Sequence, residues 1–332
     1  MVVNFRKVTT LLIIIIMVAL LDIYLFMSRA MNIDESFLYE IKPGSSISIL
    51  SRSLYKQGVL SRPYYLSIYA RITGQAGKLK VGEYKFEPGM SAYNLLTMIV
   101  SGKVQQYSIT LVEGNTYWQM MDEIRNSPYL THTLINLDDS QIMERLGFAD
   151  QHPEGRFYPD TYHFPKGMTD VDFLTRAYQQ MQEHLTAAWQ TRDAGLPFKS
   201  PYEALIMASI VEKESALASE RTTIAGVFIN RLRRGMRLQT DPTVIYGLGR
   251  NFDGDIRYRD LRTDTPYNTY TRKGLPPTPI AMPGREAINA VMHPETTDYL
   301  FFVAKGDSSG SHEFSSTLAE HTKLVNKYQR KK

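Results

Sequence analysis

The chain contains no cysteine. Disulfide staples, thiolate zinc sites and a cysteine nucleophile are therefore excluded. Charge of one sign is also lacking: 38 basic residues face 34 acidic ones, for a formal net charge of +4. The only basic block is the terminal Arg330, Lys331 and Lys332, so nucleic acid is not expected as a partner. Histidine is scarce, with seven residues scattered outside any metal-ligand spacing, and neither a metal nor a cofactor is expected. Apolar residues are plentiful. At 43% of 332 residues they suffice for packed cores and leave room for two domains besides any anchor.

Long apolar runs are limited to one. Residues 9–28 are almost continuously apolar behind Arg6 and Lys7, about 20 residues or roughly 30 Å as a helix, the thickness of a bilayer core. A cleaved signal peptide competes with an uncleaved anchor here. Tyr24, Leu25, Phe26 and Met27 stand where small residues would mark cleavage, which favours the anchor. Asp22 interrupts the run and is expected to face a partner helix or an interface. Basic residues before the span and Asp34, Glu35 and Glu40 after it place residues 1–8 in the cytoplasm and the rest outside.

A unit then repeats. Lys42-Pro43-Gly44-Ser45-Ser46, Glu87-Pro88-Gly89-Met90-Ser91 and Val112-Glu113-Gly114-Asn115-Thr116 each offer a turn glycine and, two residues on, a hydroxyl that can cap a helix. Apolar residues follow at fixed distances: Leu50 and Leu54, Leu95 and Ile99, Met120 and Ile124. Strands are expected over 38–41, 82–86 and 107–112, giving strand-turn-helix units of an α+β fold. The unequal glycine spacing excludes a solenoid. The first unit, closed by Gly58-Val59-Leu60, resembles a LysM-like module, a fold associated with glycan chains; a structural spacer fits the same residues.

Residues 138–151 are polar and lead into a rigid aromatic loop over 154–162. A helix is expected over 171–189, with Phe173, Leu174, Ala177, Met181 and Leu185 on one face, packed against the stretch that begins at Ser200. There Ser200, Pro201 and Glu203 read as cap, first helical position and capping-box acid. Residues 204–211 are apolar on every side, so this helix is expected to be buried all round. It ends in Glu212-Lys213-Glu214-Ser215. A carboxylate at the C-terminal end of a buried helix faces the negative end of the dipole and is desolvated; both effects favour the protonated form that a general acid needs. A solvated helix end paired with Lys213 or Arg221 is the plainer reading. The two glutamates lie about 200° apart around the helix, so they cannot flank one bond together. Spacing does not choose between them. Ser219 is read as the cap of a second helix carrying Ile224, Val227, Phe228 and Leu232 and stopped by Gly235.

Beyond Gly235, residues 238–247, 265–270 and 274–280 are rich in amide, hydroxyl and tyrosine groups on proline-stiffened loops. They suit a groove for a neutral carbohydrate, or an ordinary set of surface turns. A buried strand over 299–304, a partner strand over 312–315 and a closing helix over 317–328 complete the chain.

At Ala208-Ser209-Ile210-Val211-Glu212-Lys213-Glu214-Ser215, with Arg237-Leu238-Gln239-Thr240-Asp241-Pro242-Thr243-Val244 and Tyr267-Asn268-Thr269-Tyr270, the sequence closely resembles the YceG-like endolytic murein transglycosylases. The resemblance runs through nearly the whole chain. It implies an α+β protein with a single transmembrane helix over 9–28, a LysM-like module over 37–105, a connecting segment over 106–150 and a mixed α/β catalytic domain over 151–330. It implies an inner-membrane location, a periplasmic catalytic domain, peptidoglycan strands as substrate and penicillin-binding synthases as partners. The second glutamate of the triplet, Glu214, is then the catalytic acid. Ser215, Gln239, Asp241, Tyr267, Asn268, Thr269 and Tyr270 are the expected substrate contacts. One acid suffices where the substrate's own C6 hydroxyl is the nucleophile and a 1,6-anhydro end results. A hydrolase pairing Glu214 with Asp241, and a non-catalytic glycan-binding scaffold, are the rival readings.

Overall fold

The computed structural model describes residues 5–215 and 217–329; residues 1–4 of the expected cytoplasmic segment and the terminal Arg330, Lys331 and Lys332 lie outside them. The chain forms two compact units.

The first unit comprises residues up to Tyr107 together with His163–Gly167. It begins with α1 (Phe5–Ser28), continues through β1 (Phe37–Ile41), α2 (Ile47–Lys56), α3 (Pro63–Ile72) and β2 (Gly82–Phe86), and ends in α4 (Ala92–Ser101). β1 and β2 are antiparallel, with Tyr39 opposite Tyr84 and Phe37 opposite Phe86. The repeated turn takes the form its residues predict. Gly44 and Gly89 both have φ of 81°, a region open to glycine without Cβ strain. Ser46 and Ser91 then accept from the amides of Ile49 and Asn94, capping α2 and α4. Leu50, Leu54, Leu95 and Ile99 are buried in the core with Leu66, Tyr84 and Phe86.

Helix α1 is long and apolar enough to cross a membrane, but its last turns are not bare. Met27 is buried, and Ile23 and Phe26 pack against the same core. Asp22, expected to face a partner helix or an interface, finds its partners within its own chain, at the start of α3. Arg62 Nη1 and Tyr65 Oη both donate to its Oδ2 at 2.5 Å.

The second unit holds residues 108–162 and everything from Met168 onward. The expected connector over 106–150 therefore belongs to it from Ser108. β3 (Gln106–Thr110) and β4 (Thr161–Pro165), which pair with each other, run across the division in the chain, and the second unit's own elements begin with α5 (Tyr117–Arg125) and α6 (Asp139–Arg145). The third copy of the turn, with Gly114 at φ 75° and Thr116 in a capping box with Gln119, starts α5. α6 fills the stretch read as merely polar: Asp138 and Gln141 make a capping box, and Ile142 and Met143 are buried.

Next come α7 (Asp170–Thr191), α8 (Pro201–Glu214) and α9 (Arg221–Arg233). Ser200 Oγ accepts from the Glu203 amide at 3.3 Å, while the Glu203 carboxylate reaches back to the Lys199 amide at 2.6 Å. Every side chain from Ala204 to Val211 is buried, as expected for a helix apolar all round. Ser209 is the polar member of that run; its hydroxyl donates to Ile206 O at 2.7 Å and accepts from the Ile280 amide at 3.0 Å, so its burial leaves nothing unsatisfied. Ser219 is not the cap of α9. It lies in a 3₁₀ turn, and Glu220 occupies the cap position without a side-chain bond.

The chain closes with α10 (Asp241–Leu248), α11 (Tyr258–Arg262), α12 (Arg285–Met292), β5 (Phe301–Ala304), β6 (His312–Ser315) and α13 (Leu318–Tyr328). α7, α9 and α12 all pack on α8, which is why α8 forms the axis of the core. β5 and β6 are antiparallel, Phe302 opposite Phe314. The strand read as buried is shorter than expected and half-buried at Phe301 and Phe302, because one face opens on a cleft.

Candidate active site

Helix α8 delivers two carboxylates to different places. Glu212 turns toward α12, where its Oε2 accepts from the Gly284 amide at 2.9 Å and its Oε1 lies 3.6 Å from Arg221 Nη2. Burial raises its pKa above the usual carboxylate range, with the Gly284 amide and Arg221 opposing. It braces the start of α12 and does not line the cleft that Glu214 enters.

Glu214 points the other way, into a cleft of about 520 Å³. Burial is the main cause of its raised pKa, and the nearby Asp241 charge pushes the same way. The Thr240 hydroxyl donates to Glu214 Oε1 and pulls in the opposite direction, as do His312 and Arg231. Desolvation thus favours the protonated form of this carboxyl, while a donor already stands in place for its ionised form.

Thr240 is itself fixed. Its amide donates to Thr269 Oγ1 at 3.1 Å, and its carbonyl accepts from Thr243 Oγ1 at 2.8 Å. The preceding loop is anchored by buried Arg231, whose Nη1 donates to Leu238 O at 2.5 Å and whose Nε donates to Leu300 O at 2.6 Å. Gln239, between them, has φ of 55°, a left-handed backbone that costs a non-glycine residue about 1–2 kcal/mol. That strain is held by the Gln239 amide on Thr269 O at 3.2 Å.

The expected contact residues divide. Gln239, Asp241 and Tyr270 line the cleft with Glu214, and Tyr270 Oη donates to Asp241 Oδ1 at 2.5 Å. The other four hold the framework. Ser215 caps the end of α8, donating to Val211 O at 2.9 Å and accepting from Arg221 Nε at 3.2 Å. Tyr267 bonds Thr278 at 2.9 Å and packs on Tyr246. Asn268 donates to three carbonyls, of Asp260, Leu261 and Thr263. Thr269 positions Thr240.

Sequence reasoning missed Thr240, Arg231, His312 and the wall formed by Phe301, Phe302, Leu318 and His321. Thr240 lay inside a quoted motif. The others come from two strands and two helices with no local mark of function. His312 is oriented by Glu220, whose Oε2 lies 2.8 Å from Nδ1.

The description of the YceG-like family matches residues 39–327. An endolytic murein transglycosylase of Bacillus subtilis is 33% identical over 305 residues, 87% of this chain and 83% of the relative. One of Streptococcus pneumoniae is 27% identical over 86% of this chain and 57% of its own length. A crystal structure of a YceG-like protein from Listeria monocytogenes, 32% identical, superposes with a TM-score of 0.54 over 87% of this chain and 99% of that one.

Proposed function

The chain belongs to the YceG-like family, is a lytic transglycosylase like the endolytic murein transglycosylases it resembles, and we propose that Glu214 is its single catalytic acid and base. The substrate on this reading is the β-1,4 bond between N-acetylmuramic acid and N-acetylglucosamine. Glu214 protonates the glycosidic oxygen as the C1–O4 bond breaks. The carboxylate then takes the proton of the C6 hydroxyl as the C1–O6 bond closes a 1,6-anhydro ring. No water enters, and the acid is regenerated. Proton transfer of this kind contributes about 10²–10⁴-fold. Thr240, donating to Glu214, stabilises the carboxylate between the two steps, and the nearby Arg231 charge acts in the same sense. Gln239, Asp241 and Tyr270 offer hydrogen bonds to sugar hydroxyls, while Phe301 and Phe302 offer ring faces to the apolar sides of the sugars.

The observation that supports this reading most is the contrast between the two glutamates. Glu214 opens on the cleft beside a hydroxyl donor, whereas Glu212 is tied to Gly284 and Arg221. Glu214→Gln is expected to lose at least about 10²-fold in rate with its melting temperature kept, and Glu212→Gln to retain most activity. Digestion in H₂¹⁸O should leave the new termini unlabelled and resistant to reduction. Label at those termini would establish hydrolysis, with Asp241 in the same cleft as the second carboxylate.

Membrane anchoring belongs to the same proposal: α1 stays attached, with its N-terminus cytoplasmic and both units in the periplasm, acting on strands emerging from penicillin-binding synthases. The packing of Ile23, Phe26 and Met27 on the first unit's core supports an uncleaved segment, since a removed leader contributes nothing to a mature fold. Two antiparallel strands enclosing two helices support a LysM-like role for the first unit in placing glycan.

A further inference from the structure

The first unit carries an apolar stripe left exposed among the described residues. Tyr64, Ile68 and Ile72 follow one another at spacings of four along α3 and are 70%, 37% and 63% exposed, so they stand on one helix face. Beside them, Arg52, Lys56 and Arg71 line a groove of about 420 Å³ with Tyr55 and Tyr64. Ser48 accepts from Arg71 at 3.0 Å, and among the described residues no carboxylate lies within ion-pair distance of these three cations.

The groove's position along the membrane helix follows from α1. No flexible linker separates α1 from the unit: Met31 N donates to Met90 O at 2.8 Å and Asn32 N to Val59 O at 3.1 Å, directly after Met27 enters the core. From Lys7 to Asp22 the helix rises about 22 Å, short of the roughly 30 Å of a hydrocarbon core. With the Lys7 backbone at one edge of the core, Asp22 would stop about 8 Å short of the other; Lys7 snorkels, its long side chain reaching the near headgroups from a deeper backbone, and this brings Asp22 to the opposite edge of the core. Arg62 and Tyr65, bonded to Asp22, lie at the same depth, and they flank the first turn of α3. We infer that the α3 face bearing Tyr64, Ile68 and Ile72, with Arg52, Lys56 and Arg71, rests in the headgroup layer of the bilayer that holds α1 and binds anionic lipid there. An apolar stripe bordered by long basic side chains is the pattern of an interfacial helix, and tyrosines favour that depth. The first unit is then fixed in height and orientation on the membrane. The inference rests on α1 being a retained anchor.

The absence of native cysteine makes the test direct. The full chain with a single thiol, Ile68→Cys, is labelled with a fluorophore and reconstituted into phosphatidylcholine vesicles with or without phosphatidylglycerol; Val18→Cys reports the span. A quencher carried on lipid should quench both labels, the Ile68 label several-fold more with phosphatidylglycerol present. Replacing Arg52, Lys56 and Arg71 together by Gln, all exposed and so without cost to folding, should remove that lipid dependence. A quenched Val18 label with an Ile68 label that only aqueous iodide reaches, whatever the lipid, overturns the docking and leaves the anchor standing. A Val18 label open to iodide overturns the anchor reading, and the inference with it.

Discussion

Replacing Thr240 by Val tests the site at the residue that links its framework to its chemistry. Valine keeps the shape of threonine, and the backbone bonds to Thr269 and Thr243 survive, so the loop should stay in place. What goes is the hydroxyl that donates to Glu214. A hydrogen bond to a charged group is worth about 1.5–3 kcal/mol, and at 1.36 kcal/mol per unit the Glu214 pKa should rise by about 1–2 units further. That bond favours the carboxylate, so deleting it disfavours every state in which the proton has left. Glu214 must begin protonated, and the alkaline limb of the rate profile should therefore move to higher pH by about 1–2 units. The rate itself should fall, because the carboxylate formed as the bond breaks has lost its donor; the same energy corresponds to about 10–100-fold. The assay is release of anhydro-ended fragments from purified glycan strands across pH, with melting temperature measured in parallel. An alkaline limb and rate both unchanged in a folded Thr240→Val variant would refute the assignment of Thr240 as the donor to the acid, and with it the depiction of Glu214 as ionised during turnover.

Asp241→Asn should act with the opposite sign, since the Asp241 charge helps to raise the Glu214 pKa: the alkaline limb moves down and activity changes only a few-fold, whereas complete loss would mark Asp241 as a required second carboxylate. Gln239→Gly relieves a left-handed backbone at φ 55° and should raise the melting temperature while weakening substrate, seen as a higher KM. Glu154, 0% exposed and bonded by the Tyr117 amide at 3.0 and 3.1 Å, has its pKa raised by burial from 4.5 to about 7. Because the folded pKa lies above the unfolded one, stability is full below pH 4.5 and falls as pH rises toward about 7, by about 3 kcal/mol. Glu154→Gln should flatten that fall in denaturant titrations at several pH values; parallel curves for the two proteins would sink the argument.

Local patterns gave the repeated turns and the buried helix α8, but not α6 or the start of α9. The turn glycines at 44, 89 and 114 and the hydroxyl caps two residues on are determined by neighbours along the chain, since φ and a capping bond involve only a few consecutive residues. The burial of α8 followed from its even apolar coat. Family resemblance pointed to Glu214, but helical spacing left it level with Glu212, because both glutamates sit at the end of apolar rows. Only packing separates them: α12 brings the Gly284 amide to Glu212, and the loop after α9 brings the Thr240 hydroxyl to Glu214. Four of the polar residues expected on the substrate, Ser215, Tyr267, Asn268 and Thr269, hydrogen-bond within the chain, since a hydrogen-bonding side chain does not reveal from sequence whether its partner is sugar or protein. The wall from β5, β6 and α13 was illegible for the same reason; its residues meet the acid across about a hundred positions of chain, and no short-range pattern encodes such a meeting. Asp22 is the plainest case. In the sequence it is a charge in an apolar helix; its partners, Arg62 and Tyr65, lie some forty residues away, and it is the folding of α3 against α1 that supplies them.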